Sequence, residues 1–124
     1  MIAQINYLTN IRLGAGAIAS LNDELANLKV SKPLIITDAG LVSTGLLDKA
    51  KATAKLPDSV AMYDGTPANP TEAAVEDALH VYRCNDCDSI VAIGGGSSID
   101  LAKAVALLVT HELPLRQYLS LIHI

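Results

Sequence analysis

Apolar and polar positions change period several times along the chain. Short apolar runs bounded by turn residues alternate with longer stretches of helical spacing. Pro33-Leu34-Ile35-Ile36-Thr37, Ser59-Val60-Ala61-Met62-Tyr63 and Ser89-Ile90-Val91-Ala92-Ile93 are too short for helices and read as buried strands. Between them, Ile18 to Leu28 places Ile18, Leu21, Leu25 and Leu28 on one face. Gly40 to Ala54 carries Leu41, Leu46, Leu47 and Ala50. Thr71 to Tyr82 follows Asn69-Pro70, with Thr71 as an N-cap. Ser98 to Thr110 repeats Ile99, Leu101, Ala102, Val105, Ala106 and Val109 at helical spacing. Gln4 to Leu13 is mixed in polarity and fits an edge strand or hairpin. Strands alternating with helices predict an α/β fold, an open parallel sheet with right-handed crossovers.

Composition narrows this further. The chain has 124 residues, enough for one domain, and 51% of them are hydrophobic, which excludes disorder. Aromatics are limited to four Tyr, with no Phe or Trp. The core is therefore aliphatic, and base-stacking platforms lose their main ingredient. A net charge of −4 offers no footprint for nucleic acid or anionic lipid. No apolar run approaches the ~20 residues of a membrane span. Met1-Ile2-Ala3-Gln4-Ile5-Asn6 lacks the basic start and apolar centre of a signal peptide, so a cytoplasmic location is expected.

Two glycine clusters compete as phosphate sites. Gly14-Ala15-Gly16-Ala17-Ile18-Ala19 matches G-x-G-x-x-A, and Asp38 follows at the end of the next strand. The segment before it, Asn10-Ile11-Arg12-Leu13, is too polar for a central parallel strand, so a tight turn into a helix is the plainer reading. Gly94-Gly95-Gly96-Ser97-Ser98-Ile99-Asp100 instead joins an apolar strand to a periodic helix. Glycines admit a ligand close to the backbone, and amides at a helix start attract a pyrophosphate. Ser97 can add a hydroxyl, or cap the helix with Asp100 closing a variant capping box. A capped turn without a ligand is the alternative.

Gly94-Gly95-Gly96-Ser97-Ser98-Ile99-Asp100-Leu101-Ala102-Lys103 resembles the glycine motif of the iron-containing (group III) alcohol dehydrogenases, relatives of the glycerol dehydrogenases and dehydroquinate synthases. Leu13-Gly14-Ala15-Gly16-Ala17, Thr37-Asp38-Ala39-Gly40-Leu41 and Asp64-Gly65-Thr66-Pro67-Ala68-Asn69-Pro70-Thr71 resemble other segments of that family in the same order. The resemblance implies the family's Rossmann-like N-terminal NAD-binding domain over residues 1–118, without the second, all-helical metal-binding domain. It implies that Gly94, Gly95, Gly96 and Ser97 face the pyrophosphate and that Asp38 accepts from the adenosine ribose. It further places Asn69 near the adenosine half and Asp100 towards the nicotinamide and substrate. A carboxylate at Asp38 repels a 2′-phosphate and favours NAD over NADP. The implied reaction is hydride transfer between a small alcohol or hydroxy acid and NAD, aided by a divalent metal, iron or zinc. The intact protein is compatible with a homo-oligomer.

No catalytic residue and no metal ligand is assigned within this chain. Its histidines are His80, His111 and His123, and no two of them have the i, i+4 spacing of a helical metal site. The fragment alone is therefore expected to be inactive. Lys103 matches the family motif without an evident role. Cys84-Asn85-Asp86-Cys87 has the spacing of a redox pair or half a zinc site, but without a second Cys pair two free thiols are expected. Leu119-Ser120-Leu121-Ile122-His123-Ile124 equals the in-frame translation of CTGTCTCTTATACACATC, a transposon end used as a sequencing adapter. Residues 119–124 are thus expected to be a foreign tail. A non-catalytic dinucleotide-binding module, the remnant of a decayed gene, or another member of the glycerol dehydrogenase and dehydroquinate synthase superfamily remain the alternative readings.

Overall fold

The computed structural model describes residues 3–6 and 10–110, with side-chain surroundings given for residues 12–109. The readings placed on His111, His123 and residues 119–124 lie outside the described residues.

The chain opens with an antiparallel hairpin, β1 (Ala3–Asn6) and β2 (Asn10–Leu13), registered Ala3 to Leu13 and Asn6 to Asn10. A 3-10 turn (Ala17–Ser20) leads into α1 (Leu21–Asn27). Three parallel strands form a second sheet: β3 (Pro33–Ile36), β4 (Ala61–Tyr63) and β5 (Ser89–Ala92). Their spatial order is β4-β3-β5, with β3 in the middle. Between β3 and β4 lie α2 (Ala39–Ser43) and α3 (Leu46–Thr53). Helix α4 (Glu72–Cys84) connects β4 to β5, and α5 (Gly96–Thr110) follows β5.

Burial explains why β3 is central. Leu34, Ile35 and Ile36 are each 0% exposed, as a strand covered on both faces requires. The alternation of strand side chains sends Leu34 and Ile36 to the face covered by α4 and α5. There they join Val75, Ala78 and Leu79 of α4 and Leu101, Val105 and Leu108 of α5 in one aliphatic cluster. Each such leucine, isoleucine or valine contributes about 1.5–3 kcal/mol by leaving water.

Local signals set the helix ends. The Thr71 hydroxyl accepts from Ala74 N at 3.1 Å, so α4 is capped where the sequence predicts. Its far end closes without glycine: Asp86 takes φ 51°, and Cys87 N donates to Tyr82 O at 3.0 Å. The single helix expected over 40–54 is two, because Gly45 adopts φ 79° and interrupts it. The helix expected from Ser98 begins earlier, at Gly96.

Candidate cofactor site

The strand order locates a crevice before any side chain is considered. After β3 the chain travels outward to β4, then returns past β3 to form β5 on the other side. Beyond the carboxyl ends of β3 and β5, the two following segments part, which is where open α/β sheets bind ligands. Asp38 follows β3 there, and Gly94–Gly96 follow β5.

A cavity of about 320 Å³ occupies that position, lined by Asp38, Thr66, Pro67, Ala68, Gly95, Gly96, Ser97 and Ser98. The structure therefore unites four sequence-predicted residues, Asp38, Gly95, Gly96 and Ser97. Gly94, Asn69 and Asp100 do not line it. The loop before α4 contributes Thr66, Pro67 and Ala68, which sequence reasoning placed in a family-like segment but assigned no part in a site. Thr66 Oγ1 donates to Thr37 O at 2.7 Å and fastens this loop to the end of β3. Ser97 Oγ donates to Ala68 O and joins the loop to the first turn of α5. Of the two readings of Ser97, capping is not realised, because the helix starts before it and its hydroxyl bonds Ala68 O instead.

The three glycines differ in kind. Gly94 has φ 147°, and a Cβ there would meet Ser98 Oγ at 3.1 Å and Leu41 Cδ1 at 3.3 Å, so packing within the chain accounts for it. Gly95 and Gly96 lack a positive φ, and a Cβ on either would meet nothing within 4 Å. Their small size serves open space rather than the chain's own packing. They stand at the start of α5, whose amides and dipole favour an anion.

Asp38 plays two parts. Its Oδ1 accepts from Leu41 N at 2.9 Å and caps α2. No other hydrogen bond reaches its carboxylate among the described residues, so acceptor capacity remains on the cavity side. Two buried hydroxyl oxygens nearby, Thr37 Oγ1 and Ser98 Oγ, have no protein partner. Ser98 is 1% exposed and lines the cavity; sequence reasoning gave it no separate role, since an unpaired hydroxyl shows only in three dimensions.

The earlier glycine cluster stands apart from the parallel sheet. Gly16 starts only a 3-10 turn, and the preceding β2 belongs to the separate hairpin rather than to the parallel sheet. A larger cavity of about 470 Å³ lies at the amino ends of the strands, beside Pro33, Ala61 and Cys87. Its walls include Leu25, Leu56 and Val60, and it gathers no glycine at a helix start. Asp100 and Lys103 are exposed on α5. Among the described residues, no group of three or more His, Cys, Asp or Glu could hold a metal ion, and no helix is long and apolar enough to cross a membrane.

A parallel sheet, a glycine-lined helix start and an acid at the next strand's end together define a nucleotide-binding α/β unit. The chain belongs to the iron-containing alcohol dehydrogenases, whose family model matches residues 9–123. It is 46% identical over 120 residues to the 4-hydroxybutyrate dehydrogenase of Cupriavidus necator, covering 97% of this chain and 31% of that protein. A crystal structure of 1,3-propanediol oxidoreductase superposes with a TM-score of 0.75 at 38% identity, over 82% of this chain and 27% of the other. A sulfoacetaldehyde reductase from Bifidobacterium kashiwanohense, solved in complex with NAD+, shares the fold with a TM-score of 0.73 at 22% identity, over 85% of this chain and 28% of that one. The chain thus spans less than a third of the length of these relatives.

Proposed function

We propose that residues 1–118 are the NAD-binding part of a cytoplasmic, metal-dependent alcohol dehydrogenase that interconverts a small alcohol or hydroxy acid with its carbonyl compound. The observation that carries this reading is the pair Gly95 and Gly96, which leave space at a helix start that the chain itself does not use. NAD, when bound, supplies the acceptor for a hydride. The amides of Gly95 and Gly96 would hold its pyrophosphate, with Gly94 setting the turn that presents them. Ser97 would turn its hydroxyl from Ala68 O towards a phosphate oxygen, and Ser98 Oγ supplies a further unpaired group beneath. Asp38 would accept from the ribose hydroxyls, while Asn69 and Asp100 would extend the site towards the adenosine and nicotinamide ends. The described residues provide no ligand set for the metal that an iron-containing family implies.

Residues 119–124 are proposed to be a foreign tail; reading the source gene beyond the codon for Tyr118 tests this. The binding proposal is tested by calorimetric titration of NAD into the full chain and into Gly95→Val. Binding by the parent and its loss in a variant with an unchanged circular dichroism spectrum are expected. Equal affinity in both would overturn the assignment.

A further inference from the structure

Cys84 and Cys87 are both free thiols in the structure, and the side chain beside Cys84 is a histidine. His80 and Cys84 lie one helical turn apart on α4, and both are exposed. His80 Nε2 stands 3.4 Å from Cys84 Sγ. Metal–nitrogen bonds of ~2.0–2.1 Å and a metal–sulfur bond of ~2.3 Å, set at a tetrahedral angle, place the two ligand atoms about 3.6 Å apart. The existing separation thus fits the bite of one tetrahedral ion with little side-chain movement.

We propose that His80 and Cys84 form a two-point binding site for a soft divalent transition-metal ion such as Zn2+. Imidazole nitrogen and thiolate sulfur are the donor pair that such ions prefer over the oxygen-seeking Mg2+ and Ca2+. The position at the helix end favours a cation over a free reactive thiolate. Cys84 is the last residue of α4, where the helix dipole is negative and Asp86 and Asp88 follow in the chain, opposed by Arg83. Cys87 does not complete a three-ligand set. It is half-buried, lines the larger cavity, and burial together with Asp88 and Asp86 holds its thiol above the ordinary range. The remaining coordination positions are therefore open to water. On binding, the ion replaces the Sγ proton, which is released to solvent, while neutral His80 gives its Nε2 lone pair and keeps its proton on Nδ1.

The test uses Co2+ as the spectroscopic probe and Zn2+ as its competitor, on the reduced full chain. The expected result is a thiolate-to-cobalt charge-transfer band in the near ultraviolet that saturates at one equivalent and is erased by Zn2+. Cys84→Ser should abolish the band and Cys87→Ser should leave it. His80→Gln should raise the Co2+ concentration for half-saturation by about tenfold or more, as loss of one of two ligands implies. All three positions lie outside the cofactor cavity, so NAD titration and circular dichroism confirm that each variant remains folded. A band that follows Cys87, is indifferent to His80, or is absent from the folded parent would overturn the proposal.

Discussion

The two ends of the parallel sheet each hold an aspartate at a strand boundary, and the two are used differently. At the amino end, both oxygens of Asp88 are engaged. Its oxygens accept from Ser31 N at 2.9 Å, Lys32 N at 2.8 Å and Ser89 Oγ at 2.9 Å. These bonds, the Ser31 amide foremost, hold its carboxyl below the ordinary range although the residue is exposed. At the carboxyl end, Asp38 spends one oxygen on the α2 cap and keeps the rest in reserve. Cavity size points the other way, since about 470 Å³ lies at the amino end against about 320 Å³ at the carboxyl end. Unspent hydrogen-bonding capacity beside unexplained glycines is what assigns the proposed site to the carboxyl end rather than to the larger cavity.

The comparison can be broken most forcefully through the strand both ends share. Leu34→Ala removes a fully buried side chain from the middle of β3 and should cost about 2–5 kcal/mol, read in a urea titration. Both ends should then fail together. Asp38→Ala should separate them. It is expected to weaken NAD by about tenfold or more through loss of a charge-assisted bond, and to reduce stability by about 1 kcal/mol through loss of the α2 cap. Calorimetry and thermal unfolding read the two effects independently.

Ser98→Ala sharpens the contrast in the opposite direction. Removing a buried hydroxyl without a partner should raise the melting temperature of the ligand-free chain by a few degrees while weakening NAD binding. A variant that is less stable and binds NAD normally would show that the hydroxyl serves the fold. The smallest effect is expected at Asp88. Because its folded pKa lies below the unfolded value, its contribution is present above the unfolded pKa of about 4 and fades as pH falls through the folded one. Asp88→Asn should flatten that acid limb in melts between neutral and strongly acidic pH, with NAD affinity at neutral pH unchanged.

What the sequence displayed was local. The three strands, the Thr71 cap, the hairpin and the polar flank that disqualified Gly14 and Gly16 all follow from periodicity or from short-range hydrogen bonding. Asp38 and Gly95 were found by motif, and the topology then explains why they meet. What escaped needed either a third dimension or a subtler backbone. Gly45 sits within an apolar period that continues across it, so only its φ reveals the break. Ser97 reaches Ala68, and the lack of a partner for Ser98 Oγ exists only once the sheet has closed over it. His80 and Cys84 have i, i+4 spacing in the sequence, but the mixed pair stands out only through its 3.4 Å separation on the folded helix.

The strand order also has a consequence in time. Because β3 is central yet is synthesised before both of its neighbours, it leaves the ribosome as the most apolar strand with neither edge protected. One neighbour arrives with β4, but the other waits until α4 has been made. The aspartate wall of the cavity is thus laid down early and the glycine wall late, so the cavity is complete only once the first turn of α5 has emerged.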